Sequence, residues 1–260
     1  MPHNTVLITG VGRSVGIGRG IAVELARQGW DIAFSYWGAY DRRLDLGGTD
    51  DDPRSIEREL TALGVRVFAA EGDLADVTIP SALFDSVEAA LGPVGALVLS
   101  HAESVDSGIL TTTVDSFDRH FAVNTRASWL LIAEFARRLE AQGGAEGRGA
   151  ATPAGRIVAL TSDHTVHNLP YGASKGALDR IVIAAARELA HLGITANVVN
   201  PGPVDTGWMD DGVRAALLAR QPTGRLGVPQ DTADLVAFLL SDRGGWISGQ
   251  LIKSDGGFSI

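Results

Sequence analysis

The feature that most constrains this chain lies at its start. Thr5–Thr9 (TVLIT) is a short, apolar, β-rich run, and Gly10-Val11-Gly12-Arg13-Ser14-Val15-Gly16-Ile17-Gly18 follows at once. Ile21, Ala22, Leu25 and Ala26 then recur at helical spacing as far as Gly29, a helix stop. Strand, glycine loop and helix in that order suit a backbone that must come close to a phosphate. The free N–H groups and dipole of a helix N-terminus favour negative charge, and glycines admit the close approach. A strained turn in another doubly wound protein would give the same local pattern, so the rest of the chain has to decide.

The rest alternates. Strands are expected at Asp31–Ser35, Val65–Ala69, Ala96–Ser100, Arg156–Leu160, Thr195–Val199 and Gln250–Lys253. Helices are expected at Ser55–Leu63, Pro80–Leu91, Tyr171–Leu192 and Asp231–Leu240, with one or two across Ser116–Leu139. Near-continuous apolar strands alternating with helices imply a parallel sheet covered on both faces. With no internal repeat and no break in composition, the 260 residues read as one domain. Trp37–Pro53 reads for the most part as a solvated surface loop, and Ala141–Gly155 as a flexible Gly/Ala linker.

Composition narrows the classes. The chain holds 32 glycines, far above the usual share of roughly 7%. Zero Cys excludes a disulfide frame, a thiolate nucleophile and a Cys-based metal site. The net charge of −9 argues against nucleic acid as partner. No uncharged apolar run approaches the ~18 residues that span a bilayer. Met1–Gly10 also lacks a basic stretch followed by a long apolar one. The expectation is a cytoplasmic chain, neither exported nor embedded in a membrane. His164 and His167 find no third ligand nearby, so no metal site is expected.

Two further features carry chemistry. The second strand ends Phe34-Ser35-Tyr36-Trp37 without the acid that bonds a ribose 2′-hydroxyl, while Arg13, Arg42 and Arg43 stand near; this favours NADP over NAD. Tyr171 and Lys175, at i and i+4, share a helix face. A phenol with pKa about 10 is roughly 0.1% ionised at pH 7, and a nearby ammonium favours its phenolate. Such a tyrosine can exchange a proton with a carbonyl or alcohol oxygen while a nicotinamide carries the hydride.

Taken together, these residues resemble the short-chain dehydrogenase/reductase family from Thr5 to about Phe258, and most closely its 3-oxoacyl-carrier-protein reductase branch. Thr9-Gly10…Gly16-Ile17-Gly18 looks like TGxxxGIG, Tyr171-Gly172-Ala173-Ser174-Lys175 like YxxSK, and Asn200–Thr206 like NPGxxxT. Asp73-Leu74 looks like the adenine-side Asp, Val123-Asn124 and Ser162 fall where the family keeps a catalytic Asn and Ser, and Ile247–Gly257 resembles the closing TGQ…DGG segment.

The resemblance implies a single Rossmann-type, doubly wound, mostly parallel sheet of about seven strands, and an NADP(H)-dependent oxidoreductase acting on a carbonyl/alcohol pair. Tyr171 would be the proton donor or acceptor. Lys175 would lower its pKa and hold the cofactor ribose. Ser162 would bond the substrate oxygen, and Asn124 would hold a water relaying protons from Lys175. Thr206 would bond the nicotinamide carboxamide. The implied cofactor set is Gly10, Arg13, Ser14, Gly16, Ile17, Asp73, Leu74, Ser100, Tyr171, Lys175, Pro201, Gly202, Val204 and Thr206. A homodimer or homotetramer through Ser116–Leu139 and Tyr171–Leu192 is implied as well.

Three departures keep other readings open. Five residues, Val11–Val15, separate Gly10 from Gly16, a longer loop than the family's usual one. The family's NNAG reads Ser100-His101-Ala102-Glu103, with His101 expected to replace a structural hydrogen bond. Ser162 lies nine positions before Tyr171, closer than in most members. An NAD-linked alcohol dehydrogenase, an enoyl reductase, or a nucleotide-sensing protein without turnover are the alternatives. Trp208-Met209 and the helix Val213–Arg220 form either a substrate lid or ordinary packing.

Overall fold

The structure is a computed structural model, and it describes residues 5–44, 48–144 and 154–260. Seven parallel strands form one sheet in the order β3-β2-β1-β4-β5-β6-β7. They are β1 (Thr5–Thr9), β2 (Asp31–Tyr36), β3 (Val67–Glu71), β4 (Val94–Leu99), β5 (Gly155–Leu160), β6 (Ile194–Asn200) and β7 (Leu251–Lys253). The alternating apolar runs identified in the sequence are these strands, with ends shifted by a few residues. Ser100 falls just past β4 rather than inside it.

Period-two alternation splits the core in two. From β1, Leu7 faces a cluster that holds Phe84, Leu131, Phe135 and Val182, while Val6 and Ile8 face one that holds Ile21, Leu25, Leu60 and Val236. The first cluster is roofed by α4 (Ile79–Leu91), α6 (Ser128–Ala141) and α7 (Leu169–Glu188). The second is roofed by α1 (Ile17–Arg27), α3 (Asp52–Ala62) and α9 (Pro229–Leu240). Leu97 on β4 is fully buried in the first cluster. Leu97→Ala should cost about 2–5 kcal/mol, read as the shift in a denaturant melt with an unchanged m-value.

The topology reverses between β1 and β4, and the carboxyl ends of the strands there open a crevice, the usual ligand position in such sheets. The helical run expected over Ser116–Leu139 is α5 (Val114–His120), a π-helical stretch Phe121–Ala127, and α6 without a break. One expectation needs correction. Gly38–Leu44, inside the stretch read as a solvated loop, is a short helix, α2, whose Tyr40, Asp41 and Leu44 line the crevice. Of the linker read at Ala141–Gly155, residues 145–153 lie outside the described residues. Among the described residues no helix is long and apolar enough to cross a membrane. Nor does any group of three or more His, Cys, Asp or Glu among them suit a metal.

Candidate active site

The glycine loop is built on contacts that exclude side chains. Gly10 has φ +78°, and a Cβ there would lie 2.6 Å from the backbone N and Cα of His101. A Cβ on Gly18 would lie 2.7 Å from the Gly10 carbonyl oxygen. The N-terminus of α1 carries no side-chain cap and no acid in its first turn, so neither offsets its dipole. Two amides of the loop are taken by the chain itself. The Ser14 amide donates to Asp52 Oδ2 at 2.9 Å and the Gly16 amide to the Arg13 carbonyl at 3.0 Å. Ser14 and Gly16, both in the expected cofactor set, therefore lie outside the crevice lining, whereas Gly10, Gly12, Arg13, Ile17 and Gly18 are in it.

The crevice has a volume of about 1070 Å³ and runs from the glycine loop to the segment after β6. Asp73, Leu74, Ser100, Ser162, Tyr171, Lys175, Pro201, Gly202, Val204 and Thr206 all line it. Gly202 (φ +64°) could not carry a Cβ, which would fall 2.4 Å from Asp255 Cβ. At the floor, the Lys175 ammonium donates to the carbonyls of Leu160 (2.9 Å) and His101 (3.4 Å), at the ends of β5 and β4. Burial brings its pKa down to about 8, against the opposing pull of Asp179.

Burial pushes the Tyr171 pKa up to about 12, outweighing the opposing influence of Ser162. The expectation that Lys175 holds this pKa down is not met. The ammonium is turned to two carbonyls and stands 5.8 Å from the ring centroid. At neutral pH the pair is thus a protonated phenol beside an ammonium.

Asn124 is not a lining residue. It sits on the π-helical stretch, where the widened turn directs its side chain to the Glu103 backbone. Its Oδ1 accepts the Glu103 amide at 2.7 Å, and its Nδ2 donates to the Glu103 carbonyl (2.9 Å) and to Ser174 Oγ (2.8 Å). Both amide hydrogens are consumed, so Asn124 braces the crevice wall instead of facing it. His101 does replace a structural bond, as expected: Nδ1 meets Thr9 Oγ1 at 2.6 Å and Nε2 meets the Val123 carbonyl at 3.0 Å.

Burial, reinforced by Lys175 and opposed by the Val123 carbonyl, brings the His101 pKa from 6.5 down to about 3. Between those values the unfolded chain holds a proton that the native one refuses, so stability is lost as pH falls below 6.5. His101→Asn should remove this component. By pH 5 its unfolding free energy should have dropped about 2 kcal/mol less than that of the unmutated chain. Parallel urea melts at pH 7 and 5 read the difference.

The arginines nominated for a 2′-phosphate have protein partners. Arg13 faces Asp41, Arg42 pairs with Asp50, and Arg43 pairs with Glu103, which also takes Arg119. Asp73 accepts the Ala75 amide and pairs with Arg119 at 2.8 Å; burial raises its pKa, but these bonds outweigh it and the carboxyl ends below the usual range. The sequence reading missed Tyr40, whose phenol oxygen accepts the Ser104 amide at 3.1 Å. An aromatic just past β2 was the available signal. Trp208 is 40% exposed, and Trp208, Met209, Val213 and Leu217 line the crevice mouth.

A family model described as Enoyl-(Acyl carrier protein) reductase matches residues 10–259. An uncharacterized oxidoreductase of Bacillus subtilis is 36% identical over 256 residues, covering 97% of this chain and 95% of its own. This chain belongs to the short-chain dehydrogenase/reductase family. Its family relatives are named oxidoreductases, and the chain is an enzyme of that type. An NADPH-dependent aldehyde reductase-like protein of Arabidopsis thaliana is 35% identical, covering 95% of this chain and 92% of its own. The crystal structure of a blue fluorescent protein from a metagenomic library, in complex with NADPH, superimposes with TM-score 0.83 at 32% identity, over 98% of each chain.

Proposed function

We propose that this protein is an NADP(H)-dependent reductase of aldehydes or ketones, with Tyr171 as the general acid. The observation that carries the reading is the floor of the crevice, where Ser162, Tyr171 and Lys175 converge. A phenol beside an ammonium is protonated at neutral pH and can donate to a carbonyl oxygen, the role this reading gives Tyr171. Ser162, which lines the crevice with Tyr171, would share the substrate oxygen. Asn124 acts behind them as a brace.

The crevice fits a dinucleotide by its own construction. The glycine cradle at Gly10 and Gly18 admits no Cβ, and the α1 N-terminus is uncapped. Gly10, Ile17, Leu74, Ser100, Lys175, Gly202, Val204 and Thr206 would hold the group, which when bound supplies the hydride. The absence of an acid at the end of β2 supports NADP over NAD, as do the relative named NADPH-dependent and the NADPH-bound neighbour. Separate titrations should give NADPH a dissociation constant about tenfold or more below that of NADH. Absorbance loss over a panel of aldehydes and ketones should then show turnover. Equal affinities would remove the NADP assignment, and binding without turnover across the panel would favour a sensor.

The α6 and α7 helices are proposed as the surface for a homodimer or homotetramer. Trp129 on α6 is 51% exposed, an apolar side chain that a partner helix would cover. Light scattering on the purified chain tests this, and a monomer would refute it.

A further inference from the structure

Arg13 stands in the lengthened glycine loop, yet it does not point along the crevice toward a phosphate. Its Nη1 donates to the Thr206 carbonyl at 2.9 Å, across 193 positions of sequence. Its Nε lies 3.6 Å from Asp41 Oδ1 on α2, and its guanidinium carbon stands 5.8 Å from the Trp208 ring. Tyr40 of α2 closes the group from the other side, 6.4 Å from Trp208. The guanidinium is thus compensated by a carboxylate, bonded to a carbonyl and laid near an aromatic ring. A phosphate would have to compete with Asp41 for it, a poor starting point for an anion site.

The segment that Arg13 holds makes few backbone bonds of its own; beside it, the Asp205 carboxylate accepts two hydrogen bonds from Arg214, and Trp208 lies against Tyr40. Backbone pairing after β6 ends at the Val204–Gly227 bridge and the Asp205 amide, which donates to the Gly227 carbonyl at 2.9 Å. From Thr206 to Asp210 the chain lies outside any helix or strand, until α8 (Asp211–Arg220) begins. Thr206 and Trp208 nevertheless both line the crevice.

We infer that Arg13 is a positioning residue: it ties the Thr206–Trp208 segment to the glycine loop and so sets where those two side chains stand in the crevice, instead of gripping a phosphate itself. Asp41 holds the guanidinium in that pose. The inference rests on the reading of the crevice as a dinucleotide site only for what the tie achieves; the tie itself is a property of the chain alone.

The test uses the full chain with Arg13→Met, Arg13→Lys and Asp41→Asn, each checked for an intact thermal transition. Hydrogen exchange, without added nucleotide, should quicken on the order of tenfold in peptides spanning 203–209 of Arg13→Met. Arg13→Lys, which keeps a donor and a charge, should restore part of the protection, and Asp41→Asn should fall between. NADPH and 2′,5′-ADP, which lacks the nicotinamide end, are then titrated. Affinity for 2′,5′-ADP should stay within about twofold while NADPH weakens on the order of tenfold. Unchanged exchange in Arg13→Met would overturn the tie. Equal weakening of the two ligands would make Arg13 a phosphate ligand. Should the unmutated chain bind neither ligand, the cofactor reading fails, and the exchange measurement alone decides the role of Arg13.

Discussion

Tyr171→Phe is expected to lower turnover by about 10²–10⁴-fold while leaving NADPH binding nearly unchanged. The ring itself packs in the crevice beside Lys175 and would still fill its place; only the hydroxyl and its proton are removed. The loss should therefore appear in kcat, with a small change in the dissociation constant for the dinucleotide. Ser162→Ala should produce a smaller loss, because the phenol keeps its proton and loses one polar neighbour in the crevice. A Tyr171→Phe enzyme of undiminished turnover would move the acid elsewhere in the crevice.

Lys175→Ala should have the second large effect, and a broader one. The side chain is buried and its ammonium satisfies the Leu160 and His101 carbonyls. Truncation strands those acceptors at a cost of about 1–3 kcal/mol in stability. It also removes the cation expected to hold the cofactor ribose, so kcat and dinucleotide affinity should fall together. The pH profile gives an independent reading. With the ammonium pKa depressed to about 8 and the phenol raised to about 12, a rise in pH discharges Lys175 first. Rates in the unmutated enzyme should therefore decline as pH passes about 8, with Tyr171 still protonated. The acid side should move as well. Lys175 is one cause of the low His101 pKa, so Lys175→Ala should lessen the instability below pH 6.5.

Much of this was legible in the chain because it depends on periodicity and on backbone constraint. Val6, Leu7 and Ile8 alternate between two cores, so the parallel sheet could be read from apolar runs alone. Gly10 and Gly202 are glycines because a Cβ would collide with backbone or with Asp255, and such constraints leave a fixed residue type at a fixed place. Tyr171 and Lys175 share a helix face at any register, which is why their convergence with Ser162 could be expected.

What could not be read depends on which long polar side chain meets which partner. Arg13 lies in the glycine loop and Arg42 and Arg43 follow β2, yet Asp41, Asp50 and Glu103 take them. Helix α2 eluded the pattern because none of its residues is fully buried, so it has no apolar stripe to betray it. Its position is set by the Tyr40–Ser104 bond and by ion pairs. The sign of the Tyr171 shift was missed for a similar reason. Spacing places Lys175 near the ring, but only the carbonyls of Leu160 and His101 decide where its ammonium points.

The central claim is that this crevice delivers a hydride to a carbonyl carbon while Tyr171 supplies the proton. Incubation with NADPH deuterated at the transferable position of the nicotinamide, over a panel of aldehydes and ketones, tests it most directly by mass spectrometry of the products. The account predicts deuterium on the carbinol carbon of at least one product, and a rate of labelling that collapses in Tyr171→Phe. NADPH that binds but labels no product, or labels only a carbon of a reduced C=C bond, would contradict it.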